Sequence, residues 1–306
     1  MARYVTVASV SMSPRVQFAG DPEGLLDYAA TMMVRAKRFG ADIVAFPECF
    51  GHRVHEGTCV EVAEPLDGPV LTRVAKEAKR VGLYAVMPLY TREDGKVFNS
   101  AALVSPAGEV VGAYHKMFPT IGEIENGITP GREASVFRTD FGKVGMAICF
   151  DMNFNEIMYG LGENGAEVIF FCSAYRGGLQ LQIRAWELGA YIVSSVEGEL
   201  GRIIDPSGMV LTESTYEALV TRRVNLDRRL LHMDYNWGKM DEMLAKYGPG
   251  VSFEYFTREA CYTVASELEG VSVDEMLREF GLEERAAYFA RARRARAEAL
   301  EGRRQK

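Results

Sequence analysis

The chain has 306 residues, of which 48% are hydrophobic and 25% are charged, and its formal net charge is −7. This length and composition are typical of a globular protein with a large buried core. The acidic balance argues against a nucleic-acid-binding protein, which would present a basic face, and it leaves the class of substrate open.

Cysteine use and apolar runs indicate the compartment. Five cysteines are widely spaced, their number is odd, and no CxxC motif occurs. This pattern favours reduced thiols in a cytoplasm over a disulfide framework. The N-terminus resembles no signal peptide, and no apolar run approaches the roughly 20 residues of a membrane span. The sequence therefore predicts a cytoplasmic protein with no membrane partner.

Histidine use argues against a metal site. Four histidines are present, and His52 and His55 are the only close pair. No helical His-x-x-x-His spacing or Cys/His cluster accompanies them, so no metal site is predicted.

Apolar periodicity and turn residues predict strands that alternate with helices. The predicted strands are 5–10, 43–46, 83–90, 98–104, 109–114, 144–148, 168–172 and 191–196. The predicted helices are 21–40, 67–82, 154–163 and 178–188, with further helices at 239–247, 273–281 and 283–301. Residues 116–131 are predicted as a loop, and a hairpin is predicted around 205–208.

This order of elements predicts an α/β layered fold with a mixed sheet. No Gly/Ser-rich or Pro-rich linker divides the chain before about residue 230. We therefore predict one domain over residues 1–235 and a helical C-terminal extension over 236–306. The four arginines between 291 and 296 are interpreted as a solvated helix face, and packing against a partner subunit is the alternative.

Three polar residues stand where predicted strands end. Glu48 follows 43–46, Lys116 follows 109–114, and Cys149 follows 144–148. Loops at the carboxyl ends of strands commonly carry catalytic groups in layered α/β proteins. A buried cysteine is more often inert than reactive, so the chemistry must rest on the three residues together.

These three residue types have complementary chemistry. A thiol with an ordinary pKa is only a few per cent ionised at pH 7 and needs a base, which a buried carboxylate can supply. Attack on a carbonyl or nitrile carbon develops negative charge, which a fixed ammonium and backbone N–H groups stabilise. Glu48, Lys116 and Cys149 therefore predict base, electrophilic stabiliser and nucleophile.

Three sequence blocks resemble the signatures of the nitrilase superfamily, the carbon–nitrogen hydrolases. They are Phe46–Glu48 (FPE), Tyr114–Lys116 (YHK) and Gly145–Glu156 (GMAICFDMNFNE). Each block is weak alone, but all three occur in the family's order. Further similarity covers Phe98–Ala101, Pro130–Arg132, Arg184–Glu187 and Asp205–Gly208, so the resemblance spans about residues 4–230.

The resemblance implies an α-β-β-α sandwich and a homodimer or higher homo-oligomer. It implies the same three roles for Glu48, Lys116 and Cys149, with a thioester intermediate and no metal or organic cofactor. Many members carry a second glutamate after the lysine. The K-x-x-P-T-x-x-E spacing favours Glu123 for this position, with Glu125 as the alternative.

Residues near the predicted strand ends are candidate substrate contacts. Phe150 can lend its backbone N–H to the oxyanion, and Tyr175 and Arg176 follow strand 168–172, where Arg176 could meet a substrate carboxylate. Asn153 resembles the residue of aliphatic amidases at this place. Asp151 is interpreted as a cap of the following helix. Cys172 is predicted in the core, and Cys49 is predicted to pack near the pocket.

The predicted function is cysteine-dependent hydrolysis of a non-peptide C–N bond in a small amide or N-carbamoyl compound. Phe150-Asp151 resembles the amidase and carbamoylase branches, because nitrilases typically carry Trp-Glu there. Nitrile hydrolysis is the alternative within catalysis, supported by the spacing to Glu123. A non-catalytic member that binds a small ligand or a partner is the alternative outside it.

Overall fold

The computed structural model describes residues 2–12, 21–254 and 256–302. By their contacts, these residues group into two compact units. One is Val5–Val224, and the other comprises the described residues of Met1–Tyr4 and Asn225–Lys306.

The strands and helices of the larger unit agree closely with the alternation in the sequence. Its strands are β1 (Tyr4–Val10), β2 (Ile43–Ala45), β3 (Tyr84–Glu93), β4 (Lys96–Val104), β5 (Val110–His115), β6 (Val136–Arg138), β7 (Lys143–Ile148), β8 (Val168–Ser173), β9 (Tyr191–Val196), β10 (Arg202–Ile204), β11 (Val210–Glu213) and β12 (Leu219–Asn225). Its helices are α1 (Pro22–Arg38), α2 (Cys59–Val62), α3 (Pro69–Val81), α4 (Ile121–Glu125), α5 (Asn155–Glu163) and α6 (Leu179–Leu188). Short 3₁₀ turns cover Phe50–His52 and Cys149–Asn153.

Within the described residues, the strands form two six-stranded mixed sheets. The first has the order β12-β1-β2-β3-β4-β5, and the second has the order β11-β10-β9-β8-β7-β6. Pairing is parallel for β1–β2–β3 and β7–β8–β9, and antiparallel toward the β5 and β6 edges. The parallel strands are almost wholly buried, as expected for strands covered on both faces.

Helices cover the outer face of each sheet. Helix α1 begins at Asp21, whose carboxylate accepts a hydrogen bond from the Gly24 backbone N–H at 2.9 Å, and Pro22 takes the first helical position. The apolar faces of α1 and α3 join one core cluster with the first sheet. Helices α5 and α6 pack on the second sheet. The layers are therefore α-β-β-α, which confirms the predicted sandwich.

Small hydroxyl side chains join the inner faces of the two sheets. Ser9 Oγ donates to the Ser194 carbonyl at 2.7 Å, and Ser195 Oγ lies 3.0 Å from the Ala45 carbonyl and 3.1 Å from Ser9 Oγ. All three serines are fully buried. Buried polar groups are tolerated when they are hydrogen-bonded, so these contacts help to fix how the sheets face each other.

The smaller unit contains both helices and a sheet. Its helices are α7 (Met240–Tyr247), α8 (Val273–Phe280) and α9 (Arg285–Leu300), close to the three predicted ones. It also contains β13 (Arg228–His232), β14 (Val251–Glu254) and β15 (Cys261–Ser266), which pair antiparallel in the order β13-β15-β14. The sequence pattern predicts no strands after residue 225. The error arose because short strands between helices carry little periodic signal.

One other feature differs from the sequence-based expectations. Residues 116–131 were predicted as a loop, yet they contain α4, which begins with a Thr120/Glu123 capping box. From Arg291 to Ala297, α9 is exposed at every position. Among the described residues, no helix is long and apolar enough to cross a membrane.

The serine contacts between the sheets make a testable prediction. Replacing Ser195 with alanine leaves the buried Ala45 carbonyl without this donor, so we expect a loss of about 1–3 kcal/mol in the free energy of unfolding. Urea denaturation measures it. The same change at half-buried Ser135 is the control and should alter the value by less than about 0.5 kcal/mol. Equal effects at both positions would contradict this role of Ser195.

Candidate active site

The two sheets bring together residues that follow three separate strands. Glu48 comes shortly after β2 and Lys116 directly follows β5 in the first sheet, while Cys149 directly follows β7 in the second. Glu48 and Lys116 are buried, and Cys149 is partly buried. The candidate site therefore lies between the sheets, at ends of strands from both.

Glu48 is held by three donors from different parts of the larger unit. Its Oε1 accepts from Lys116 Nζ at 2.8 Å and from Asn99 Nδ2 at 2.9 Å. Its Oε2 accepts from the Ala174 backbone N–H at 3.1 Å, just after β8. This carboxylate therefore links the first sheet to the second.

Lys116 lies between two carboxylates. Its Nζ donates to Glu48 at 2.8 Å and to Glu123 at 2.8 and 3.1 Å, and its side chain is only 1% exposed. Burial alone would lower the pKa of Lys116, but the charges of Glu48 and Glu123 outweigh it and raise the pKa above its ordinary value. Lys116 is therefore a permanent cation.

The structure distinguishes the two candidate second glutamates. Glu123 is clamped by its own helix start, since Thr120 N–H donates to its Oε2 at 2.7 Å. Burial would raise the pKa of Glu123, but the Lys116 charge and the hydrogen bonds from Lys116, Asn99 and Thr120 together lower it. Glu125, two residues on, is exposed at the end of α4.

Cys149 occupies a strained turn. Its φ angle is +48°, a left-handed conformation that costs a non-glycine residue about 1–2 kcal/mol. The turn leads directly from β7 into the Cys149–Asn153 3₁₀ turn. Such strained strand-to-turn positions serve to expose a nucleophile.

The environment of Cys149 keeps its thiol protonated at neutral pH. Burial and the Glu48 carboxylate raise its pKa to about 11, while Lys116 and a hydrogen bond with Ser173 act in the opposite direction. A thiol with this pKa needs a nearby base to react, and Glu48 is the carboxylate that acts most strongly on it.

Asn99 is a site residue that the sequence analysis did not single out. Its Nδ2 donates to Glu48 Oε1 at 2.9 Å and to Glu123 Oε1 at 2.8 Å, and it is 1% exposed. It therefore bridges both carboxylates that flank Lys116. A polar asparagine inside the apolar β4 run FNSAALV was the signal that could have identified it.

The hydrogen bonds of Asp151 differ from those expected of a helix cap. It is fully buried and accepts from Ile148 N–H at 2.9 Å, from Phe118 N–H at 2.9 Å and from Tyr114 Oη–H at 2.7 Å. The interpretation of Asp151 as a cap of the following helix is wrong, because all three donors precede Asp151 in the chain. Ile148 lies just before Cys149, and Tyr114 and Phe118 lie on either side of Lys116. Burial raises the pKa of Asp151 to about 6, against the effect of its donors and of Lys116.

A hydrogen-bonded chain runs beside Cys149. Tyr175 Oη lies 3.4 Å from Gln180 Oε1, and Gln180 Nε2 donates to Asn153 Oδ1 at 2.9 Å. Asn153 in turn donates to the Phe150 carbonyl at 3.0 Å. Burial and the nearby Cys149 raise the pKa of Tyr175 to about 12. Gln180, on α6, was not identified from the sequence, because nothing in its helix marks it.

The remaining predicted residues lie at the periphery. Arg176 is exposed, and its Nε donates to the Glu199 carbonyl at 3.3 Å. The Phe150 ring is 37% exposed and packs edge-on against Phe154 at 5.1 Å. Cys172 is buried in β8, as expected for a core residue, and Cys49 lies 3.7 Å from Asn99 Oδ1.

No group of three or more His, Cys, Asp or Glu side chains in the described part of the chain is placed to hold a metal ion.

A family profile described as carbon–nitrogen hydrolase matches residues 6–231, about three quarters of the chain. The chain belongs to the carbon–nitrogen hydrolase family. This confirms the predicted nitrilase superfamily. The matched span includes Glu48, Lys116 and Cys149 and covers almost all of the larger unit.

Curated relatives include omega-amidases. Omega-amidase NIT2 of Xenopus tropicalis is 30% identical over 159 residues, which cover 49% of this chain and 58% of that protein. The mouse omega-amidase NIT2 is 25% identical over 230 residues, covering 66% of this chain and 83% of that protein. The chain spans less than two thirds of the length of the first of these relatives.

Solved structures share the fold. Nit3 of Saccharomyces cerevisiae, a member of branch 10 of the nitrilase superfamily, superposes with a TM-score of 0.65 at 20% identity, over 73% of this chain and 90% of Nit3. An amidase from Nesterenkonia gives a TM-score of 0.64 at 21% identity, over 79% of this chain and 96% of the amidase. Both likenesses concern the fold.

Replacing Glu123 with glutamine tests its contact with Lys116. We expect kcat to fall about tenfold or more and the free energy of unfolding at pH 7 to fall by about 1–3 kcal/mol, because Lys116 loses one of two buried counterions. Steady-state kinetics and urea denaturation measure these effects.

The pH dependence and a control sharpen this test. The pKa of folded Glu123 is lowered, so its stabilisation is present above the ordinary carboxyl pKa and is lost as pH falls through the folded value. The stability difference between wild type and Glu123→Gln should therefore shrink below about pH 4.5. Glu125→Gln is the matched control and should leave the free energy of unfolding unchanged, because Glu125 does not bind Lys116. A larger effect at Glu125 than at Glu123 would reverse the assignment.

Proposed function

We propose that this protein is a cysteine-dependent amidase that hydrolyses the C–N bond of a small amide or N-carbamoyl compound and releases ammonia or an amine. One observation carries the proposal: Glu48, which raises the pKa of the Cys149 thiol, accepts a hydrogen bond from Lys116 Nζ at 2.8 Å, and Glu123 holds the same ammonium at 2.8 Å. A base, a nucleophile and a fixed cation are thus assembled in one buried site.

In the proposed acylation, Cys149 Sγ attacks the amide carbon while Glu48 takes the thiol proton. The oxyanion that forms is stabilised by the Lys116 ammonium and by backbone N–H groups, for which Phe150 is the candidate. Glu48 then returns the proton to the leaving nitrogen. The C–N bond breaks, ammonia or amine departs, and the acyl group stays on Cys149 as a thioester.

Water completes the proposed cycle. Glu48 removes a proton from a water molecule, which attacks the thioester carbon, and the proton passes to the departing thiol. The acid product leaves, and Cys149 is restored. For a primary amide, the net reaction is amide plus water to carboxylic acid plus ammonia. No metal or organic cofactor takes part in these steps.

The relatives and the rim of the site suggest the kind of substrate. Two curated relatives are named omega-amidases, which supports an amide at the end of a short chain. Arg176, exposed two residues after the Ala174 N–H that binds Glu48, is the proposed contact for a substrate carboxylate. Asn153 and Tyr175 are the proposed side-chain contacts to the substrate nearer Cys149, and Phe150 is the proposed backbone contact. The exposed Glu125 is a weaker candidate for a substrate contact.

Nitrile hydrolysis is a second candidate function, because Glu123 is the glutamate of the K-x-x-P-T-x-x-E spacing that resembles the nitrilase branch. Glu123 binds Lys116 and is itself held by the Thr120 N–H. A nitrile would form a thioimidate in place of the tetrahedral amide adduct. A member that only binds a small ligand is less well supported, since Lys116 binds Glu48 directly and both act on the pKa of the Cys149 thiol.

Ammonia release tests the proposed function. A panel of small ω-amides with and without a carboxylate, N-carbamoyl compounds and nitriles is assayed with wild type and with Cys149→Ala. We expect release from one class, at least about 10³-fold reduced in the variant because the nucleophile is gone. Release that persists in Cys149→Ala would overturn the mechanism.

Charge preference is tested with Arg176→Ala in the same assay. A higher KM for the carboxylate-bearing amide, with the neutral amide unchanged, supports the carboxylate contact. If the wild-type thiol proves unreactive toward acrylamide and every panel compound, the ligand-binding alternative is favoured. Acrylamide is a suitable probe because it adds to the active-site cysteine of a Nesterenkonia amidase variant.

We further propose a homodimer or higher homo-oligomer and a cytoplasmic location. The outer face of α5 and α6 supports self-association, because Leu179 and Ile183, one turn apart on α6, are 68% and 44% exposed and Tyr159 on α5 is 42% exposed. Exposed apolar patches of this kind mark interfaces. All five cysteines are free thiols, which supports a reducing compartment.

Self-association is tested by size-exclusion chromatography with light scattering. We expect a mass of about twice that of the 34.0 kDa chain or a higher multiple, and dissociation of the Leu179→Asp/Ile183→Asp variant. Phe39→Asp, at an exposed position just after α1, is the matched control and should leave the mass unchanged. A wild-type monomer would contradict the assembly.

A further inference from the structure

One buried carboxylate ties together the segments that carry Lys116 and Cys149. Asp151 Oδ2 accepts from the Ile148 backbone N–H at 2.9 Å, immediately before Cys149. The same oxygen accepts from Tyr114 Oη–H at 2.7 Å, and Oδ1 accepts from the Phe118 N–H at 2.9 Å. The donors therefore come from both sides of the site.

Tyr114 extends this connection around Lys116. It is fully buried, and its hydroxyl accepts from the Met117 backbone N–H at 3.0 Å while donating to Asp151. Residues 114, 117 and 118 are thus all bound to the carboxylate or to the phenol, and Lys116 lies between them. The chain cannot carry Lys116 elsewhere without breaking these three hydrogen bonds.

An ionised carboxylate suits this place better than any isosteric group. Three N–H or O–H donors point at its two oxygens, and a carboxylate accepts hydrogen bonds on both of them. An asparagine amide would turn its NH₂ group toward one of these donors. A buried donor without an acceptor costs about 1–3 kcal/mol, which favours a shift of the backbone.

We propose that Asp151 and Tyr114 are positioning residues that set the distance between the Lys116 ammonium and the Cys149 sulfur. Neither touches the substrate in this proposal. They act through the two backbone segments, so their loss changes how strongly Lys116 stabilises the thiolate and the oxyanion. The inference deepens the proposed function and rests on it for its kinetic readout.

The opposing interpretation is that Asp151 merely holds the fold. In that case its loss would reduce the amount of folded protein but leave each folded molecule fully active. The two interpretations differ in the turnover per active site and in the titration of Cys149. Turnover is expressed per reactive Cys149, and the titration follows only the Cys149 that reacts, so unfolded protein alters neither quantity.

The variants Asp151→Asn and Tyr114→Phe are compared with wild type. The control is Asp205→Asn, which alters an equally buried aspartate that accepts from Ser207 N–H within the β10–β11 hairpin. Reactive sites are counted by iodoacetamide labelling and peptide mass spectrometry of Cys149. We expect turnover per reactive site to fall about tenfold or more in both variants, with KM changed less than about threefold, because misplacement acts on the transition state.

The pH dependence of Cys149 alkylation gives a readout without substrate. Lys116 lowers the pKa of the thiol, whereas burial and Glu48 raise it. The other ionisable groups that interact with Asp151 are Tyr114, Lys116 and Tyr175. We expect the alkylation midpoint to rise by about half a pH unit or more in Asp151→Asn and Tyr114→Phe, and to stay unchanged in the control.

The double variant shows whether the two residues act as one unit. The effects of Asp151→Asn and Tyr114→Phe on turnover should be clearly less than multiplicative, because each change already breaks the shared contact. Unchanged turnover per site and an unchanged midpoint in both single variants would overturn the proposal. If Asp151→Asn does not fold, Tyr114→Phe decides. If no substrate is found, the alkylation midpoint of Cys149 alone tests the proposal. A failure of the proposed function can therefore be told apart from a failure of this inference.

Discussion

The site depends on one buried ammonium. Lys116 is 1% exposed, and burying an unpaired charge of this kind costs several kcal/mol. Glu48 and Glu123 compensate for that cost, and Asn99 binds both carboxylates, so none of these side chains can move independently. The same arrangement brings the Glu48 carboxylate and the Lys116 ammonium close enough to the Cys149 thiol to act on its pKa.

The fold supplies these groups from distant parts of the chain. The first sheet contributes Glu48, Asn99 and Lys116, and the second contributes the strained turn at Cys149 and the Ala174 N–H. Buried serines between β1, β2 and β9 hold the sheets face to face. Asp151 then joins the Lys116 and Cys149 segments directly. The catalytic geometry is thus a property of the interface between two sheets.

Much of this could be predicted from local patterns. The sandwich followed from alternating strands and helices together with the family resemblance, and Glu48, Lys116 and Cys149 were visible as polar residues at strand ends. The capping-box spacing of Thr120 and Glu123 was also present in the sequence, although its helix was predicted as loop. The strands of the smaller unit were missed because short antiparallel strands depend on partners far along the chain, which local periodicity does not report.

The sequence by itself determined the order of the elements, the residue types at the strand ends and the family to which the chain belongs, because burial periodicity and turn chemistry are local. Only the tertiary structure decided that Glu123 and not Glu125 binds Lys116, that Asn99 bridges two carboxylates, and that Asp151 reaches back to the Lys116 segment. These contacts join residues up to 51 positions apart. The Glu123 and Asn99 contacts arise from strand neighbours in the first sheet and the segment after β5, and the Asp151 contacts arise from the packing of one sheet on the other. A single sequence contains no direct signal for either.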